Sequence, residues 1–325
     1  MIALLKKLAL YTLAIGSLSL ASRQSFAQNK NDVTCKIMPA AYSQDLEQIQ
    51  NQLQQAELDE NPMAKKITDR QFKDEEIIHW GNINNPETKD FYISEILQQA
   101  EEEHKFYLDF EMDNEKYIMT IQDLKELHEA HLAYYDPKET AGYDIDITLA
   151  ADNDFVFDHV SQTSMLSTTI AAHMFPYFNK KTIIDLCAHE AVGHYKNELN
   201  SSASDDPDIQ AASSIECEYN ADKGAFKTIG KDRYIKAITS LAGYINFRAE
   251  NEKDPVKKVE WQIQQQEALD FLRPKRLLDD PHPSLANRIL YQEALDDAKR
   301  HNQNLDQIPF PPPQYYQPLK IKSKF

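Results

Sequence analysis

Glycine is scarce in this chain, with seven residues in 325. Folds built on many tight turns need backbone positions that glycine supplies, so its scarcity predicts a helix-rich protein. Basic charge is also short. Thirty-five Lys and Arg face 52 Asp and Glu, a formal charge of −17. Binding phosphate backbones needs a basic surface, which argues against nucleic acid as a partner. Cysteine occurs three times, at Cys35, Cys187 and Cys217. One bridge with one free thiol, or three buried thiols, both fit that number. Long apolar runs are missing after the N-terminus: no later stretch reaches the ~18 residues of a membrane helix.

The N-terminus itself has the layout of an export signal. Lys6 and Lys7 precede an apolar run from Leu8 to Ala21, and Ser25-Phe26-Ala27 places small residues at −3 and −1. Cleavage after Ala27 is expected, giving a periplasmic or secreted mature chain with no membrane span. The alternative is an uncleaved anchor. No cysteine sits at the cleavage point, so the lipoprotein pattern is absent.

Four segments follow: the signal at 1–27, a region at 28–140 expected to be helical, a domain at 141–301, and a Pro-rich tail at 302–325 expected to be extended or disordered. Leu46, Ile49, Leu53 and Ala56 recur at helical spacing. Asn82 to Pro86 reads as a turn, and a helix is expected over 87–105. Tyr143, Ile145, Ile147 and Leu149 alternate with polar residues, the pattern of a half-buried strand. Residues 106–112, 154–160 and 167–172 are weaker strand candidates. A helix is expected over 182–200. The next opens near Asp205 or Asp206 with Pro207 in its first turn, carries Lys223 and Lys227 near its end and closes at Gly230. Two or three more helices reach about His301. The fold class is therefore α+β, a small sheet packed on a helix-rich body.

Chemistry concentrates in three segments of the 141–301 domain. The first is His189-Glu190-Ala191-Val192-Gly193-His194. Zinc peptidases commonly place two histidines four residues apart on one helix face. Here the spacing is five, which turns the two rings about 140° apart on a regular helix. A π-bulge would restore a shared face, and Gly193 would ease that distortion. Taken alone, two chance histidines on a solvated helix explain the segment equally well. The second is Glu218-Tyr219-Asn220-Ala221-Asp222 on the following helix. Glu218 would be a third ligand, leaving a fourth position open. Asp222, one turn on, would accept the outer N–H of a ligating histidine. The plain alternative is an exposed acidic helix. The third is Pro281-His282-Pro283-Ser284, followed by Arg288. Two prolines stiffen the backbone around His282, which would suit a donor to a developing oxyanion. Arg288 would brace the site by pairing with a carboxylate. A helix entry with a solvent-facing histidine is the alternative. Cys187 and Cys217 flank the first two segments, so a bridge between them is conceivable.

Together the segments resemble the HtpX and CAAX-prenyl-endopeptidase (Ste-type, Oma-like) family of gluzincin metallopeptidases. That family shows HExxH, then a glutamate in an ExxAD context, then HPxxxxR. Glu218, Ala221 and Asp222 match the second pattern, and His282, Pro283 and Arg288 the third. The resemblance runs from about Ile145 to Ala298. The chain departs from it by one extra residue, HExxGH, a spacing similar to the dipeptidyl-peptidase III family. The resemblance implies one Zn2+ per chain held by His189, His194 and Glu218, Glu190 as general base, His282 as transition-state hydrogen-bond donor, and a polypeptide substrate. It also implies a zincin-like fold and work in envelope protein quality control. Peptide is expected along the edge strand before the active-site helix. A second reading is a catalytically inactive zinc protein that binds polypeptides as a chaperone or adaptor.

His128 and His131, three apart, form a further candidate metal pair without an evident third ligand. His159 and His173 are expected to be structural. Phe106, Tyr107, Tyr134 and Tyr135 are expected to line the core or a cleft.

Overall fold

Stripes of apolar residues at helical spacing generate most of the body, and two small sheets position its centre. The computed structural model of the chain describes residues 46–68, 72–82, 91–100, 106–112, 114–150, 157–162, 165–194, 207–269 and 283–311, with backbone alone at 74, 157–162 and 207–214. The expected export signal, Cys35, the segment 83–90, Asp205 and Asp206, His282 and the tail from 312 lie outside the described residues.

Helix α1 (Leu46–Gln54) buries Ile49 and Leu53. The region expected to be helical then holds a four-stranded sheet. Its strands are β1 (Lys65–Lys66), β2 (Ile77–Asn82), β4 (Tyr107–Met112) and β5 (Glu115–Thr120), in the order β1-β5-β4-β2. Alternating apolar positions explain β4, where Leu108, Phe110 and Met112 are buried. Phe110 stacks on Tyr117 of β5, centroids 5.6 Å apart, and meets Trp80 of β2 edge-on at 6.2 Å. Asn114, at φ 63°, turns β4 into β5.

The helix expected over 87–105 is shorter. Strand β3 (Phe91–Tyr92) pairs antiparallel with the second sheet before α2 (Ile93–Gln99) begins. Helix α3 (Ile121–Leu132) follows β5, with Thr120 accepting from the amide of Asp123 at 3.0 Å as its N-cap. The second sheet has the order β3-β6-β8-β7, with β6 (Asp144–Ala150), β7 (Phe157–Gln162) and β8 (Met165–Ala171). Strands β6 and β8 run parallel, and β7 runs antiparallel to β8.

Two expectations change here. Strand β6 is buried on both faces rather than half-buried, since Asp146 and Thr148 are buried along with Ile147 and Leu149. Their polar atoms are satisfied internally: Thr148 Oγ1 lies 2.6 Å from Ser167 Oγ, and Asp146 accepts from the Ser94 hydroxyl and from the amide of Ile147 at 2.7 Å. The strand leading to the helix, β8, is interior and not an edge. The edge belongs to β7, which packs against the turn that follows α4 (Lys180–Ala188).

Asn179 caps α4 by accepting from the amide of Thr182 at 2.9 Å. The single helix expected over 182–200 instead passes from α4 into a π turn at His189–His194. Helix α5 (Pro207–Ile229) starts at Pro207 as expected, and Gly230, at φ 79°, separates it from α6 (Lys231–Asn251). Helices α7 (Pro255–Leu269) and α8 (Leu285–Arg300) follow, with Ser284 capping α8 by accepting from the amide of Asn287 at 3.2 Å. The chain from Gln44 onward clusters as one compact unit.

Part of the expected disordered tail is ordered. After α8 the chain folds back, and Phe310 stacks on Tyr219 at 5.1 Å with an interplanar angle of 12°. Lys223 and Lys227 each reach Asp306 at 3.1 Å. The apolar side chains of this segment, Leu305, Ile308 and Phe310, supply the reason: they close a cluster on Tyr219, Phe226, Tyr291 and Leu295.

Candidate metal centre

Helix α4 ends by presenting His189 and Glu190, both buried, to the interior. Hydrogen bonds of the i→i+5 type widen the π turn, so residues five apart lie on one face. His194 Nε2 therefore comes within 3.3 Å of His189 Nε2. Helix α5 supplies Glu218, whose Oε2 is 3.2 Å from His189 Nε2 and whose Oε1 is 3.2 Å from His194 Nε2. One atom from each of the three residues falls within 4.8 Å of the others, the sole such His/Cys/Asp/Glu group among the described residues.

Gly193 makes this approach possible in a way the sequence did not indicate. A Cβ at Gly193 would lie 2.0 Å from the Cα of Ala221 on α5. The missing side chain lets the π turn and α5 touch backbone to backbone.

The donor set fits a metal ion. A tetrahedral zinc with bonds of ~2.0–2.1 Å to nitrogen holds its donors roughly 3.3 Å apart. The two nitrogens match that spacing at 3.3 Å, and each has a Glu218 oxygen at 3.2 Å, Oε2 beside His189 and Oε1 beside His194. Charge agrees as well: among the described side chains Glu190, Glu218 and Asp222 set three carboxylates against the guanidinium of Arg288, so with both histidines neutral, as metal binding requires, these groups are two charges negative. A divalent cation balances that. The side chain of His194, 15% exposed, is the most open of the three ligands, so the centre meets solvent on that side.

Behind His189 lies a buried polar cluster. Its Nδ1 is 2.9 Å from Asp222 Oδ1 and 2.9 Å from the Tyr234 hydroxyl. Arg288 donates to Asp222 through Nη2 at 2.7 Å and Nε at 3.1 Å, and also to the Tyr234 oxygen. Tyr234 in turn donates to Asp222. Asp222 and the Tyr234 oxygen can both accept a proton on His189 Nδ1, which leaves Nε2, on the Glu218 and His194 side, as the nitrogen that would meet a cation once its own proton is displaced. Burial and the Arg288 charge both lower the His189 pKa, but hydrogen bonds to Asp222 and Glu218 and the Glu190 charge outweigh them and lift it to about 9. Burial works to raise the Asp222 pKa, and Arg288 with His189 holds it below the usual carboxylate value.

Glu190 faces the same centre without joining the ligand triangle. Its Oε1 is 4.0 Å from His189 Nε2 and its Oε2 is 3.9 Å from His194 Nε2. That places the carboxylate within reach of a water held between the ligands.

The three ligand candidates, Glu190, Asp222 and Arg288 thus come together, while His282 lies outside the described residues. Tyr234 went unforeseen because it belongs to no motif. Among the described residues no third ligand joins the His128–His131 pair. His131 Nε2 is 2.8 Å from Thr168 Oγ1, and His128 Nε2 approaches the Ile145 carbonyl at 3.5 Å. His173 is buried against the Tyr244 ring. Tyr135 packs with Leu166 and Ala191 beside the π turn, and the Tyr134 hydroxyl donates to the Ile184 carbonyl at 2.9 Å. Cys187 and Cys217 are not bridged to each other, and burial pushes the Cys187 thiol well up, which makes it unreactive.

Comparison with protein-family models, with curated proteins and with solved structures finds no match for this chain.

Proposed function

We propose that this chain is an exported zinc-dependent endopeptidase of the gluzincin kind, with a zincin-like arrangement of sheet and active-site helix. The observation that carries the reading is the convergence of His189, His194 and Glu218 at 3.2–3.3 Å with Glu190 beside them. A metal site alone needs no such carboxylate. Exported location rests on the N-terminal pattern, and kinship with the HtpX and CAAX-prenyl-endopeptidase family rests on the three matched segments. Quality control of envelope proteins is the task that kinship implies.

His189, His194 and Glu218 would hold the ion, and Asp222 and Arg288 would hold His189. Bound there, zinc supplies Lewis-acid polarisation of the scissile carbonyl and makes a water acidic enough to lose a proton near neutral pH. Glu190 accepts that proton on a carboxylate oxygen and passes it to the departing amine nitrogen. The edge of β7, packed against the π turn, offers backbone groups for an extended polypeptide to pair with. His282 would donate a hydrogen bond to the developing oxyanion.

The test is casein cleavage by the purified mature chain, with and without chelator, beside the Glu190→Gln variant and metal analysis. Cleavage lost in both arms is expected. Metal bound without chelator-sensitive cleavage would support the polypeptide-binding chaperone instead, and absence of metal would remove both readings.

A further inference from the structure

Tyr234 is fully buried in the first turn of α6, and its hydroxyl reaches the back of the metal centre. A phenol oxygen carries one proton and two lone pairs. The proton goes to Asp222 Oδ1, and one lone pair accepts from Arg288 Nη2. His189 Nδ1 lies 2.9 Å from the same oxygen and 2.9 Å from Asp222 Oδ1. Tyr234 and Asp222 therefore form a paired acceptor for one N–H.

The ring is fixed as firmly as the hydroxyl. It lies parallel to the His189 ring, 11° apart with centroids at 6.2 Å, and the Arg288 guanidinium covers it at 5.7 Å. Its neighbour Arg233 grips Asp185 on α4, where Asp185 is buried one turn before His189. The first turn of α6 is thus joined to α4 at two levels, one ionic at Asp185 and one at His189.

We propose that Tyr234 is a positioning residue of the metal centre, orienting the Asp222 carboxylate and keeping the Nδ1 proton of His189 in place so that Nε2 stays aimed at the cation. The inference rests on the metal reading above. It assigns part of the metal affinity to a helix outside all three sequence motifs. Phenylalanine would keep the ring packing, leave Asp222 with Arg288, and remove one of the two acceptors for Nδ1.

The full-length protein, stripped with chelator, is titrated with Co2+ as a visible-absorbing stand-in for zinc. Tyr234→Phe should weaken cobalt binding about 10- to 100-fold and shift the visible bands. Tyr244→Phe, buried ten positions along the same helix among His173, Tyr177 and Phe178, should leave affinity and bands unchanged. On an Asp222→Asn background, Tyr234→Phe should add less than about twofold, since its effect runs through that carboxylate. Wild-type affinity and bands in Tyr234→Phe, with only a lower Tm, would overturn the inference. So would a full loss on the Asp222→Asn background. A wild-type chain that binds no cobalt would overturn the metal reading and this inference with it.

Discussion

Glu190 stands a water's width from both ligand nitrogens, 4.0 and 3.9 Å away, too far to hydrogen-bond to either and close enough to share a water with them. Glu190→Gln keeps the shape and removes the base. Cleavage should fall by about 100- to 10,000-fold while metal content is unchanged, measured by casein turnover beside elemental analysis. A loss of metal in that variant would show the carboxylate to be a ligand. The His189 pKa of about 9 has its own consequence. Below that pH the free imidazole carries a proton that an incoming metal must displace. Apparent affinity should therefore climb as pH rises from 6 toward 9 and level off beyond it, in a chelator-competition titration. A flat profile over that window would show that His189 is not a ligand.

The π turn is the element on which the site depends. The histidine spacing pointed to it only on the premise that both imidazoles meet one cation, because two rings five positions apart meet only where the helix widens. The part Gly193 plays was not legible, since it depends on Ala221 lying against it from another helix. Gly193→Ala places a methyl 2.0 Å from a backbone atom that cannot swing aside. Forcing α5 away should destabilise the fold by about 1–3 kcal/mol and weaken metal binding through Glu218, read by thermal melting and metal titration. A stable, fully metallated variant would mean that the helices do not approach as closely as described. Strand β8 was legible as a strand but not as an interior one. Its sequence cannot say that β6 and β7 pair on both sides of it.

Across the whole molecule, distant segments brace the centre. Phe310 stacks on Tyr219, the residue next to Glu218, and meets Tyr291 at 5.7 Å. Phe310→Ala should cost about 1–3 kcal/mol of stability, since the ring is half-buried, and loosen α5 beside the metal. Thermal melting of the metal-free protein checks this, and an unchanged Tm would show that the segment only rests on the surface. Proline content at 309, 311 and beyond pointed to an extended or disordered tail, yet its described part turns at Leu305–Gln307 and packs Leu305, Ile308 and Phe310 on the helices. The first sheet was only partly legible. β4 showed its alternation, while β1 is two residues long and exists through its pairing with β5. What the sequence determined by itself was local: helix stripes, the alternating strand pattern at 143–149, and three short segments of histidines, carboxylates and an arginine with metal-site spacing. Only the tertiary structure decided which of them meet. It made β8 interior, let Gly193 touch Ala221 and brought Tyr234 behind His189. These are contacts between residues far apart in the chain, set by how helices and sheets pack, and no local pattern encodes them.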